Sequence, residues 1–73
     1  MLKTIGNNIR KYRKMRGWSQ EKLAFESNLH RTYIGAVERG ERNITIQSLQ
    51  KISIALRASV PDLFKEFNDD GNG

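Results

Sequence analysis

Apolar residues recur along this chain at helical spacing. Ile5, Ile9 and Tyr12 follow an i, i+4, i+7 stripe, which Met15 extends near its end. Leu23, Ala24 and Ser27 mark a second face, and Leu29, Ile34 and Val37 a third. Leu49, Ile52, Ala55 and Leu56 make a fourth stripe. The pattern predicts an all-α, compact five-helix bundle.

Residues that start and stop helices divide these stripes. Thr4 is a cap for a first helix from about Ile5 to Arg16, and Gly17 suits a left-handed stop. Ser19 caps the second helix, with Gln20 at its first position. His30 is a mediocre cap before the third helix, which Gly40 ends. Thr45 caps the fourth, where Ile44 and Leu49 form a hydrophobic staple. Ser59 caps a fifth helix whose first turn tolerates Pro61. Trp18 is expected to pack beneath helix two. Between the second and third helices lies only Ser27-Asn28-Leu29, too short for two helices to lie antiparallel. It suits a sharp turn with Asn28 left-handed, because Asn tolerates positive φ well. A helix, a three-residue turn and a second helix make a helix-turn-helix.

Seventy-three residues allow one domain with a small core. We expect it to span residues 1–67, including a C-terminal dimerisation helix, with 68–73 a flexible polar tail. There is no cysteine, so neither a disulfide nor a thiolate metal site braces it. No apolar run approaches the roughly 18 residues of a membrane span, and no signal peptide pattern opens the chain. The cytoplasm is the expected compartment. The formal net charge is +5 and unevenly placed. Residues 1–42 hold ten Lys/Arg against four Glu, while 43–73 hold three against four acidic residues. The excess belongs to the half with the helix pair, and a polyanion such as DNA is its natural partner.

Base reading falls to the start of the third helix, since early residues of the second helix of such a pair face base edges in the major groove. Arg31 can donate two bonds to a guanine, and the Thr32 methyl can touch a thymine. Tyr33 reaches a phosphate or packs along the backbone. Gln47 and Ser48, in the first turn of helix four, are candidate phosphate contacts through side chain or backbone N–H. Gly35 is unusual inside a helix; a close approach to DNA or to helix two would explain it. Phe25 falls off the apolar stripe, as single exposed aromatics often do. His30 is the only histidine and has no ligand set around it, so no metal or other cofactor is expected. No converging carboxylates or nucleophile set points to an enzyme.

The stretch from Ile9 to Leu56 resembles the phage repressor/Cro-type helix-turn-helix family. The residues carrying the resemblance are Ile9-Arg10, Arg13, Gly17, Ser19-Gln20-Glu21, Leu23-Ala24, Leu29, Ile34, Glu38-Arg39-Gly40, Leu49, Ile52 and Ala55-Leu56. Within it, the run SNLHRTYIGAVERGERNITIQSL is most similar to the controller proteins of restriction–modification systems. The resemblance implies a lambda-repressor-like DNA-binding domain acting as a homodimer on a pseudo-palindromic operator, at its own promoter. It implies an ion pair between Arg13 and Glu38, and a backbone-contacting role for Gln20. It places Arg42 at the DNA near the dimer axis, with Asn43 beside it on the backbone, and makes Leu63 and Phe64 a closing core pair. Ile54, Val60 and Phe67 lack evident places in a monomer core and are the expected dimer interface. RNA polymerase is a further candidate partner; a membrane and a small-molecule ligand are not expected. A phage-type repressor or an antitoxin-type autorepressor is the alternative within this class. The alternative outside it is a basic module for RNA or an acidic protein.

Overall fold

A computed structural model describes residues 1–66 of the chain. Its helices are α1 (Leu2–Met15), α2 (Gln20–Ser27), α3 (Arg31–Glu38), α4 (Ile46–Leu56) and α5 (Val60–Phe64), with no strand among the described residues. The expected all-α, five-helix architecture is the observed one. No helix among the described residues is long and apolar enough to cross a membrane. Phe67 and the expected tail at 68–73 lie outside the described residues.

Each helix sends one fully buried aliphatic side chain to the centre: Ile9, Leu23, Ile34, Ile52 and Leu63. Burying each contributes about 1.5–3 kcal/mol relative to exposure, so no helix is dispensable to this core. Tyr12, Trp18, Leu29 and Ile44 pack around its edge. Two sequence expectations change here. Met15 is exposed and adds nothing to the core, and Phe64, expected beside Leu63, is 40% exposed. A five-residue helix has room to bury only one of two adjacent residues, and Leu63 takes that place.

The predicted caps operate where their side chains reach a backbone N–H. Ser19 accepts from Lys22 N, Thr45 from Ser48 N and Ser59 from Asp62 N; Asp62 returns the bond to Ser59 N and completes a capping box. Asn28 takes the left-handed conformation (φ 58°) and turns the chain between α2 and α3. The buried Ser27 hydroxyl donates to Leu23 O at 2.7 Å, which satisfies a polar group at an apolar position. The start of α1 differs from expectation. It begins at Leu2 with no side-chain cap, and Thr4 lies inside it rather than capping it.

Two polar or small residues fix how α1 sits. Gly6 faces α3 so closely that a Cβ there would lie 2.6 Å from Glu38 O and nearer still to Val37 O. The buried Asn8 amide donates to Leu63 O at 2.8 Å and Lys65 O at 2.7 Å. It thereby satisfies carbonyls at the end of α5 that the helix cannot pair itself.

Candidate nucleic-acid interface

The left-handed turn at Asn28 sets the first residues of α3 on an exposed surface beside the start of α2. Arg31 and Thr32 are both exposed there. His30 closes the helix end, since Thr32 N–H donates to its Nδ1 at 3.2 Å. Arg31 is not loose: its Nη1 lies 2.9 Å from Glu21 Oε2 across the turn. Both side chains are about two-thirds exposed (67% and 69%), so the pair orients the guanidinium but stabilises the fold little. Arg13, Ser19, Gln20, Glu21, Arg31, Thr32, Gly35 and Arg39 line one open cleft between the start of α2 and α3.

Beneath this surface, a single buried carboxylate holds three helices together. Glu38, at the end of α3, has a side chain with no solvent exposure. Its Oε2 accepts from Arg13 Nε at 2.7 Å, and its Oε1 from Arg13 Nη2 at 3.0 Å, a two-pronged arrangement. The expected Arg13–Glu38 ion pair is therefore present. Oε1 also accepts from Gln20 Nε2 at 3.0 Å, and Arg10 stands 3.6 Å away. Arg13 Nη1 continues to Trp18 O at 2.8 Å. α1, the α1–α2 turn, α2 and α3 are thus tied at one point, and the pose of α3 is set from below.

The other candidate contacts occupy different environments. Gln20 is half-buried and its amide nitrogen is engaged with Glu38. Tyr33 packs against the core, and its hydroxyl is buried without a hydrogen-bond partner among the described residues. In this conformation the hydroxyl is covered, so reaching a phosphate requires the ring to move. Arg42, exposed in the loop after α3, lies over that ring at 5.5 Å, a cation–π contact. Asn43 and Gln47 are exposed, whereas Ser48 N–H is engaged by the Thr45 cap, leaving the Ser48 hydroxyl for any contact. Gly35 approaches the protein rather than open space, since the side chains of Gln20 and Arg39 lie over it. The sequence reading did not single out Glu21 or Arg39 as parts of this surface. Their signal is faint: a carboxylate opening one helix and an arginine closing the next.

Ile54 is 76% exposed on α4, and Val60 is half-buried against the core. Val60 therefore has a place in the monomer that the sequence pattern did not reveal. Among the described residues, no group of three His, Cys, Asp or Glu residues is arranged to hold a metal ion.

A helix-turn-helix family profile matches residues 9–63. The chain is 52% identical over 59 residues to the control protein C.SmaI of Serratia marcescens, an overlap of 81% of this chain and 70% of that one. It is 47% identical over 69 residues to the control protein C.BamHI of Bacillus amyloliquefaciens, covering 93% and 84%. The crystal structure of the restriction-modification controller protein C.AhdI from Aeromonas hydrophila superposes with a TM-score of 0.84 at 43% identity. That match covers 86% of this chain and 96% of C.AhdI.

Proposed function

The chain belongs to the helix-turn-helix family, and we propose that it is a DNA-binding transcriptional regulator that acts as a restriction–modification controller on its own promoter. The observation that carries this reading is the exposed pair Arg31 and Thr32 at the start of α3, on a helix whose pose the buried Glu38 cluster fixes. A pre-set helix presenting a guanidinium fork is what direct reading of a guanine edge requires. The similarity to three control proteins supports the controller role.

In this reading Arg31 and Thr32 meet base edges, and Arg42 leaves the Tyr33 ring to enter a groove near the dimer axis. Gln20, Tyr33, Asn43, Gln47 and Ser48 border the phosphate backbone. The regulator works as a homodimer through α4 and α5, where Ile54 offers exposed apolar surface and Val60 is half-buried; Phe67, the third residue expected there, lies outside the described residues. RNA polymerase is the partner it acts upon. It works in the cytoplasm, where its operator lies.

Selecting bound duplexes from a random pool tests the reading. The expected product is a pseudo-palindrome with half-site centres about one helical turn, 34–36 Å, apart. Recovery of no common site, or stronger binding to RNA than to duplex DNA, would reject it.

A further inference from the structure

Arg31, Gly35 and Arg39 recur at i, i+4 and i+8, which puts them on one face of α3. The middle position of that face has no side chain. Nothing in the fold demands glycine there. Gly6 is pressed against backbone, and Gly17 and Gly40 have positive φ, but Gly35 has neither constraint. The nearest atoms to a Cβ on Gly35 would be the ends of two side chains, Arg39 Nη1 at 3.2 Å and Gln20 Oε1 at 3.5 Å. Glycine lowers helix propensity, so its presence is accounted for by what fills the gap.

Arg39 fills it. Helical side chains lean toward the N-terminus, and this direction carries the Arg39 guanidinium back over Gly35. Its Nε is held by Glu41 Oε1 at 3.0 Å, and the side chain remains 53% exposed. The guanidinium is therefore oriented from one side by Glu41 and seated on Gly35, and it lines the same cleft as Arg31 and Thr32.

We propose that Arg39 is a further DNA-contacting residue, seated in the slot left by Gly35, that grips a backbone phosphate on the wall of the groove entered by Arg31. The inference rests on the DNA-binding reading above and adds a residue to it. Seated over Gly35, the guanidinium stands one helical turn, about 6 Å of rise, beyond Arg31, roughly half the width of the major groove. With the Arg31 end at base edges, the Arg39 end meets the sugar–phosphate wall. A planar guanidinium matches phosphate oxygens, and the exposed Arg39–Glu41 pair is too weak to oppose the exchange.

The test uses the full chain and the duplex selected by the parent, with circular dichroism melts to confirm folding of each variant. Arg39→Ala is expected to weaken binding about tenfold on cognate and scrambled duplexes alike. It should also reduce the log–log salt slope by roughly 0.9 per subunit. Gly35→Leu, which fills the slot, should produce a similar loss alone and none further in the Arg39→Ala background. Unchanged binding by Arg39→Ala, or a loss confined to one base pair, overturns the phosphate assignment. A further loss from Gly35→Leu in the Arg39→Ala background overturns the role of the slot. If the parent itself selects no duplex, the DNA-binding reading fails first and this inference with it.

Discussion

Removing the Glu38 carboxylate should be among the most damaging single changes to this fold. Its side chain is fully buried and accepts three hydrogen bonds, two from Arg13 and one from Gln20. Glu38→Ala leaves the buried Arg13 guanidinium without its counter-charge and the Gln20 amide without its acceptor. Breaking a buried pair from one side costs about 3–5 kcal/mol, and burial means that solvent screening does not reduce it here. A chain of this size has a total stability of roughly 4–11 kcal/mol, so a large fraction of it would be lost. At about 4–8 °C per kcal/mol, the melting temperature should fall by on the order of 20 °C. The assay is urea unfolding followed by far-UV circular dichroism, at one protein concentration for all variants because association would contribute to stability. Arg13→Met combined with Glu38→Leu should be less harmful than the two single losses added, since neither charge is then stranded. If Glu38→Ala unfolds within about 1 kcal/mol of the parent, the cluster does not set the pose of α3.

Gly6→Ala should destabilise the protein strongly, because the new methyl group would press on the backbone carbonyls of Val37 and Glu38; a melting temperature equal to the parent's would mean that α1 and α3 can separate freely. Asn8→Leu removes two hydrogen bonds donated to the end of α5, one buried and one partly buried, and should cost about 2 kcal/mol, and hydrogen exchange should report the loss first at α5. Ile54→Lys places a charge on an exposed position of α4 and should shift a homodimer towards monomer with little change in monomer folding. Sedimentation at micromolar concentration checks it, and a parent that is strictly monomeric, with or without DNA, would refute the interface.

The parts of the fold legible in the sequence were those decided locally. Ser19, Thr45 and Ser59 cap the N–H groups next to them, and Asn28 turns the chain through its own φ. No side chain marks the start of α1, whereas Thr4 has the right chemistry in the wrong place. The end of α4 carries no glycine: Arg57 adopts φ 57° there, a left-handed conformation that local preference reserves for Gly and Asn. Gly6 and Asn8 act through elements 31 to 57 residues away, so their partners are not adjacent in sequence. Asn8 did leave a trace, a polar residue within the stripe of Ile5, Ile9 and Tyr12. At the site, the exposure of Arg31 and Thr32 follows from the turn. The inward amide of Gln20 depends on where the Glu38 carboxylate lies, and the covered Tyr33 hydroxyl on how the ring packs against the core. Those are questions of three-dimensional placement.

The central claim is that α3 reads DNA through Arg31, and one comparison tests it most directly. Parent and Arg31→Ala proteins should be titrated at one fixed salt concentration against cognate, half-site-mutated and centre-mutated duplexes. The account predicts that Arg31→Ala melts as the parent does, since its pair with Glu21 is exposed. It predicts a loss of about 1–3 kcal/mol on the cognate duplex and relaxed preference at one base pair of each half-site. An equal loss on every duplex would make Arg31 a phosphate contact and contradict the claim.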